Sequence, residues 1–268
     1  PIIAIDIPSG IDCNNGKILG FAAFCDLTIT FSTLKTGHIL LPGSEKINKI
    51  KVVDIGISKD FINKIEPNIK INNKNQWAKE INWPKIDDHK YSRGYSLVIG
   101  GPKKMTGASR LAAISAQRAG SGIVALASEK EAEEIYFNTL TSQLVKSYKN
   151  IKEYNAIINE SRIDSIVIGP GLDISTKSIL KIKSALKTNK RIVLDAGAIS
   201  CFKDKLGIFI KILSGKDVIL TPHEGELKSI LPNLSGSLIS KALKAAKILD
   251  TIVVLKGATT VIASPNNE

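Results

Sequence analysis

The sequence predicts a layered α/β protein built around a parallel β-sheet. Its short β-branched segments are continuously apolar, which is typical of strands buried on both faces, and helical patterns lie between them. This alternation of strand and helix implies right-handed crossover connections. The predicted strands cover residues 2–7, 27–31, 51–55, 96–100, 122–127, 165–169, 191–195, 217–221, 251–256 and 260–263.

The best-defined helix is predicted over 108–119, where Gly120 supplies a C-terminal stop. Small or apolar side chains recur there at the helical period, and we expect this face to pack closely against the sheet. The face consists of Ala108, Leu111, Ala112, Ser115, Ala116 and Ala119. Further helices are predicted over 129–136, 176–186, 224–231 and 237–249.

Composition excludes several classes of protein. The 268 residues are 43% hydrophobic and 23% charged, in the ordinary globular range. No apolar run approaches the roughly 18 to 20 residues of a membrane-spanning helix, and the N-terminus lacks a basic segment ahead of an apolar one, so secretion and membrane insertion are disfavoured. Cys13, Cys25 and Cys201 are scattered, which predicts neither a disulfide framework nor a zinc ribbon. We expect a reducing compartment and a cytoplasmic location.

The net charge of +12 favours polyanionic ligands, but the lysines are spread along the chain and only 5% of residues are aromatic. A base-stacking surface therefore has little support.

The stretch 58–90 is rich in Asn and Lys, contains Pro67 and Pro84, and is typical of a boundary between domains. We assign residues 1–60 to a first domain, 61–87 to a linker and 88–268 to a second domain.

The sequence pattern at both ends is typical of a truncated chain. It opens directly on a buried-type strand, and the strand at 260–263 enters a turn at 264–267 without a returning strand. We therefore expect an internal fragment of a longer protein.

Polar and glycine signals follow five predicted strands of the second domain. Because the ligand crevice of an open α/β sheet lies at the carboxyl ends of its strands, we expect these signals to describe a single site. They are Gly100-Gly101, Gly169-Pro170-Gly171, Asp195, Thr221-Pro222-His223 and Lys256-Gly257.

Two of these signals are glycine turns. The loop 100–107 joins a strand to a helix, where free N–H groups favour an anion, although a turn without a ligand is an equal alternative. Gly169-Pro170-Gly171 begins like a dinucleotide fingerprint but has Ile174 at the third position, so hydride-transfer chemistry is weakly supported. It predicts either close backbone approach to a ligand or a tight turn.

The other signals are polar. His223 is placed to hydrogen-bond a phosphate or a ring amide, with a satisfied surface polar residue as the alternative. Glu226 and Asp195 either help hold a magnesium-phosphate group or only occupy the first turn of a helix. Residues 256–260 suit a phosphate-cradling turn or a hairpin with solvent-facing Lys and Thr. Asp6, which ends the first strand, is a candidate general base or ribose ligand, or begins a turn. We interpret His38, His89 and the cysteines as structural.

Ten segments in this order resemble the bifunctional NAD(P)H-hydrate repair family, in which an epimerase domain precedes an ADP-dependent dehydratase domain. The resemblance implies the C-terminal half of a Rossmann-like epimerase domain, then a ribokinase-like layered α/β domain that is incomplete at its C-terminus. The segments are AIDIPSGID (4–12), DLTITF (26–31), KTGHILLPG (35–43), VVDIGI (52–57), LVIGGPKKMTGAS (97–109), RAGSGIVALA (118–127), VIGPGL (167–172), VLDAGAI (193–199), ILTPHEGEL (219–227) and VVLKGATTVIA (253–263).

The resemblance also implies roles for residues. Asp6 matches the catalytic aspartate of the epimerase, and Ser9 matches a serine near a bound potassium ion. Ala108, Gly171 and His223 match contacts to the hydrated dinucleotide. Mg²⁺, K⁺ and ADP or ATP as phosphoryl donor are the implied cofactors, and hydrated NADH or NADPH is the implied substrate. The implied nucleotide-phosphate loop consists of Lys256, Gly257, Ala258, Thr259 and Thr260.

Two departures from the family pattern matter. Gly197 stands where the family has a second aspartate. The family's Gly-Ser-Gly-Asp motif, with the dehydratase catalytic Asp, is expected beyond residue 268, and the epimerase's asparagine-glycine signature before residue 1. We therefore expect both sites to be incomplete, with weak nucleotide binding and little turnover by this fragment.

The implied activity is repair of hydrated NADH and NADPH. The epimerase interconverts the R and S hydrates, and the dehydratase phosphorylates the S hydrate, which then loses phosphate. A ribokinase-like small-molecule kinase that keeps its phosphorylated product is one alternative, and a non-catalytic nucleic-acid-binding module is another. On the favoured interpretation we expect a homo-oligomer with no nucleic-acid or membrane partner.

Overall fold

The computed structural model describes residues 1–65 and 69–266, so Pro67 of the assigned linker and Asn267 of the predicted last turn lie outside it. The chain divides into two compact units. The first consists of Pro1–Ile71 with Gly236–Leu238 and Gly257–Thr260, and the second of the remainder. The main division, after Ile71, falls inside the stretch assigned as linker. The assigned domain bounds themselves remain a proposal.

The first unit contains a three-stranded parallel sheet in the order β1-β2-β3. These strands are β1 (Ile3–Ile5), β2 (Leu27–Phe31) and β3 (Ile50–Val53), followed by the short helix α1 (Lys59–Lys64). Thr28 and Thr30 of β2 are fully buried, whereas Ile3 and Ile5 are 56% and 63% exposed. The described residues therefore cover only one face of β1.

The second unit contains an eight-stranded sheet in the order β11-β10-β9-β8-β7-β4-β5-β6. All neighbours pair in parallel except β10 and β11, which form an antiparallel hairpin. The final strand is thus itself the returning strand of β10. The strands are β4 (Tyr95–Ile99), β5 (Ile123–Glu129), β6 (Leu144–Tyr148), β7 (Ser165–Ile168), β8 (Arg191–Leu194), β9 (Val218–Leu220), β10 (Ile252–Leu255) and β11 (Val261–Ala263).

Helices fill the connections, which confirms the predicted layered α/β class. They are α2 (Lys74–Trp77), α3 (Gly107–Arg118), α4 (Glu133–Thr139), α5 (Ile151–Ile158), α6 (Thr176–Leu186), α7 (Gly197–Ser200), α8 (Leu206–Leu213), α9 (Glu224–Ile230) and α10 (Leu238–Leu249). A membrane span needs about 20 helical residues, and none of the helices described here meets the length and apolarity of such a span.

The predicted sheet-facing side of α3 is confirmed in part, because Ala112 and Ala116 pack against the core. Ser109 and Ala113 are fully buried, while Leu111 is 67% exposed and Ala108 is also exposed. The buried face therefore follows 109, 113 and 116, with Ala112 beside it, whereas the predicted positions 108, 111, 115 and 119 are exposed. Since small residues occupy both of these neighbouring faces, the 3.6-residue period alone did not distinguish them. Ala113 packs with Val98, Val124, Leu126, Tyr136 and Leu140.

The region after β5 also differs from the prediction. Glu129 belongs to β5, because it pairs with Tyr148 of β6, and α4 begins only at Glu133. Strand β6 was not predicted, since its sequence LVKSY is half polar and only Tyr148 is buried. Helices α5, α7 and α8 were missed as well. These differences leave the five strands that carry the polar signals unchanged.

Candidate active site

Five neighbouring strands of the large sheet bring the predicted signals to one edge. Strands β10, β9, β8, β7 and β4 are adjacent, and β7 through β10 run parallel with β4. Their carboxyl ends therefore meet at the same side of the sheet. The residues placed there are Gly100-Gly101 after β4, Gly169-Gly171 after β7, Asp195 after β8, His223 after β9 and Lys256 after β10.

The loop after β4 and the loop after β7 approach each other closely. Gly171 has φ +74°, and a Cβ atom built on it would lie 2.3 Å from the carbonyl oxygen of Met105 and 3.9 Å from Cβ of Ala108. Only glycine meets both the conformation and the spacing. Ala108, which is exposed, and Gly171 thus lie side by side, at the start of α3 and the end of β7.

A buried tyrosine holds the loop after β4. The hydroxyl of Tyr136 donates to the carbonyl oxygen of Gly101 at 3.0 Å and lies 2.9 Å from the hydroxyl of Ser109. Tyr136 is fully buried, and burial raises the pKa of its hydroxyl, so it remains a donor. The role of Tyr136 was not predicted from the sequence, because nothing in the local pattern separates it from an ordinary core aromatic.

An ion pair joins the ends of β8 and β10. Nζ of Lys256 lies 2.6 Å from Oδ1 of Asp195, with 42% and 24% of the two side chains exposed. The Lys256 N–H donates to the Pro222 carbonyl at 2.8 Å, which fixes the lysine beside the β9 loop. The Asp195 carboxylate therefore contacts a cation rather than only beginning a helix. The other predicted loop residues, Gly257–Thr260, connect β10 to β11, and the Thr260 hydroxyl donates to the Gly257 carbonyl at 3.3 Å.

His223 is the N-cap of α9. Its Nδ1 accepts from the N–H groups of Gly225 at 3.0 Å and Glu226 at 3.2 Å, and the Glu226 carboxylate accepts from the His223 N–H at 2.9 Å. This reciprocal arrangement is a capping box. Because Nδ1 accepts, the ring proton resides on Nε2. The His223 side chain is 60% exposed, and its Nε2 lies 3.5 Å from Oε1 of Glu226.

In the first unit, Asp6 follows β1 and sits in an unusual conformation for a residue with a side chain, with φ +65°. Its Oδ1 accepts from the Thr30 hydroxyl at 2.9 Å and from the Lys35 ammonium. Lys35 also donates to the Thr30 hydroxyl at 2.8 Å. The contact with Lys35, and secondarily that with Thr30, lowers the pKa of Asp6 despite an opposing effect of burial. The pair thus contributes stability at neutral pH, and this is lost as pH falls through the lowered pKa of Asp6.

Ser9 is exposed and lines a cavity of about 300 Å³ in the first unit. The other lining side chains are apolar or sulfur-containing, and include Pro8, Phe21, Ala23 and Cys25. A potassium ion requires several oxygen ligands. The lining side chains supply one hydroxyl and do not by themselves fit that ion. Among the described residues, no three His, Cys, Asp or Glu side chains are grouped as a metal site.

Comparison with known proteins follows the same division. A family model described as NAD(P)H-hydrate dehydratase matches residues 96–268, and one described as YjeF-related protein N-terminus matches residues 1–37. Bifunctional NAD(P)H-hydrate repair enzymes are similar over 99% of the chain, with 31% identity for that of Dictyoglomus turgidum and 27% for that of Moorella thermoacetica. The chain spans about half the length of these curated relatives, 54% and 52% respectively.

Two solved structures share the fold. A ribokinase-like superfamily protein from Enterococcus faecalis has a TM-score of 0.64 at 20% identity, covering 74% of this chain and 69% of that one. The ADP/ATP-dependent NAD(P)H-hydrate dehydratase from Bacillus subtilis, co-crystallised with ATP and Mg²⁺, has a TM-score of 0.58 at 26% identity, covering 71% and 69%. The fold of the second unit is therefore ribokinase-like.

Proposed function

The chain belongs to the NAD(P)H-hydrate dehydratase family, and from that premise we propose that the strand-end edge of the second unit binds a hydrated nicotinamide dinucleotide together with ADP or ATP. The observation that carries the proposal is the placement of two glycine turns, a carboxylate, an imidazole and a lysine on five adjacent strand ends. Backbone N–H groups and a cation at one edge are suited to phosphate groups.

The reaction we propose has two steps. The hydroxyl oxygen on the ring of the S hydrate bonds to the terminal phosphorus of the donor, its proton goes to a base, and the bond from phosphorus to the nucleotide breaks. The ring C–O bond then breaks with departure of phosphate, and loss of a proton from the adjacent ring carbon restores the dihydropyridine. Neither step changes the oxidation state of the donor.

The chain's own residues have separate parts in this scheme. Lys256 meets negative charge on the transferring phosphoryl group, and Nε2–H of His223 donates to the dinucleotide. Ala108 and Gly171 present a flat backbone surface against it, since neither has a side chain beyond Cβ. We propose Lys256–Thr260 as the phosphate loop. We propose that Asp195 and Glu226 would hold Mg²⁺ through water, since Mg²⁺ prefers oxygen ligands, and that Mg²⁺ would supply charge neutralisation at the phosphates.

For the first unit we propose participation in epimerisation of the hydrates, with Asp6 as the catalytic carboxylate. Support comes from the ionised Asp6 carboxylate beside the Lys35 ammonium, which together offer a proton acceptor and a proton donor within one contact. The assignment of Ser9 to a potassium ion stays a prediction, and the proposed epimerisation does not depend on that ion. Cytoplasmic location and homo-oligomeric assembly are likewise proposals.

The function is tested by mixing the chain with ADP, Mg²⁺ and hydrated NADH. We expect saturable binding of ADP by calorimetry and a slow return of the absorbance of reduced nicotinamide. A stable phosphorylated product without that absorbance would support the alternative kinase instead. Absence of saturable ADP binding, together with oligonucleotide binding that weakens steeply with salt, would contradict both and favour a nucleic-acid-binding module.

Substitution of His223 separates its two roles. His223→Asn retains a good N-cap, so we expect unchanged stability of the second unit but an affinity for hydrated NADH lowered about 5- to 10-fold by loss of one hydrogen bond. His223→Ala should show the same affinity loss and also lose about 1 kcal/mol in free energy of unfolding. Calorimetry and urea denaturation measure the two effects. Equal substrate affinity of His223→Asn and the parent chain would remove His223 from the binding site.

A further inference from the structure

We propose that His38 is a positioning residue for Asp6 and Lys35, an inference that rests on the proposed role of Asp6. The imidazole is almost completely buried, with 2% of the residue exposed. Its Nε2 lies 2.8 Å from the carbonyl oxygen of Asp6, and its Nδ1 accepts from the Lys35 N–H at 3.1 Å. One ring therefore connects the backbones of the two residues whose side chains form the ion pair.

The hydrogen bonds of the ring fix its protonation. Since Nδ1 accepts from a backbone N–H, the ring proton resides on Nε2, where it donates to the Asp6 carbonyl. Burial lowers the pKa of His38, and this agrees with a neutral ring. Both ring nitrogens are thus used within the first unit, and neither is available as a proton donor to substrate. His38 therefore does not transfer a proton to substrate directly. Its role is to position Asp6 and Lys35.

The backbone of Asp6 has a strained conformation that neighbouring contacts must stabilise. At φ +65° a residue with a Cβ is strained by about 1 kcal/mol or more, and such strain persists only where neighbouring contacts impose it. Here the Asp6 N–H donates to the Ile29 carbonyl at 2.7 Å, and the Asp6 carbonyl accepts from His38. The residue is held on both sides of its Cα, and its carboxylate is directed at Thr30 and Lys35.

Lys35 depends on the same ring. Its side chain spans the gap to Asp6, donates to Thr30 and lies 3.4 Å from the Phe31 carbonyl. A long, partly exposed lysine, 28% exposed here, ordinarily forms weak and variable ion pairs. Because His38 holds the Lys35 N–H, the side chain starts from a fixed point. Removal of the ring therefore loosens both members of the pair at once.

Three substitutions separate the two contacts of the ring in the full chain. His38→Leu removes both, the amide of His38→Gln reaches toward the Asp6 carbonyl, and the oxygen of His38→Asn lies near the Lys35 N–H. The measurement is the titration midpoint of the Asp6 carboxyl group by carbon NMR. We expect the midpoint of His38→Leu to rise toward the ordinary aspartate value of about 3.9, approaching that of Lys35→Met. His38→Gln and His38→Asn should lie between this variant and the parent.

Ile11→Ala is the matched control, because Ile11 is buried in the same unit and has no hydrogen bond to the pair. We expect it to lower stability while leaving the Asp6 midpoint unchanged. The proposal is overturned if Lys35→Met raises the midpoint but the His38 variants do not. If His38→Leu fails to fold, His38→Gln and His38→Asn give the same decision. No substrate enters this measurement, so a failed epimerase assay and a failed positioning test are distinguishable.

Discussion

Replacement of Gly169 by alanine is expected to lower the free energy of unfolding by about 3 to 5 kcal/mol. Gly169 has φ +128°, and a Cβ atom there would lie 1.7 Å from the Asp195 carbonyl oxygen and 2.9 Å from Cβ of Ala198. The obstructing carbonyl cannot easily move, since it accepts from the Ala198 N–H at 2.9 Å. Urea denaturation of the chain measures the loss.

Gly207→Ala is the control for this substitution. Gly207 lies in α8, and a Cβ atom there meets no atom within 4 Å. Alanine is favoured over glycine inside helices, so we expect Gly207→Ala to be neutral or to stabilise the chain by up to about 1 kcal/mol. Equal stability of the Gly169 and Gly207 variants would contradict the close approach of the β7 and β8 loops.

Loss of the Lys256 ammonium should weaken ADP binding about 10- to 100-fold. A hydrogen bond to a charged group contributes roughly 1.5–3 kcal/mol, and Lys256→Met removes such a donor from the proposed phosphate site. The substitution also leaves the Asp195 carboxylate without its 2.6 Å partner. Calorimetric titration with ADP and Mg²⁺ gives the affinity directly.

Lys187→Met is the matched control, because Lys187 is exposed at the C-terminal end of α6 and the substitution makes the same change in net charge. We expect its ADP affinity to stay within about twofold of the parent, since exposed charges distant from the site are largely screened by salt. Similar losses in both variants would show that general basicity, rather than a phosphate loop at Lys256, attracts the nucleotide.

The sheet was largely predictable because its strands are continuous apolar segments whose limits coincide with glycine or charged residues. Strand β6 was not, since an edge strand with Lys146 and Ser147 lacks that pattern. Its pairing with β5 then extends that strand to Glu129, where a helix was expected. Tertiary pairing thus overrides a local helical signal in this region.

The candidate sites were also predictable only in part. Glycine turns and a lysine directly after strands are visible in sequence, because topology brings strand ends together. Tyr136 and Lys35 are not, since their partners Gly101 and Asp6 lie 35 and 29 positions away along the chain. The cap formed by His223 had a visible signal in Glu226 three residues later, although a histidine in that role is not part of the usual pattern.

The contact between Lys256 and Asp195 has a consequence for selectivity. An incoming anion does not meet a bare cation but must displace an internal carboxylate from it, so binding is an exchange of one counter-charge for another. Chloride or acetate gains little from such an exchange. A polyphosphate, which brings several oxygens and additional contacts to the neighbouring turns, can compensate for the displaced partner. We therefore expect the resting edge to favour polyphosphates over simple salts.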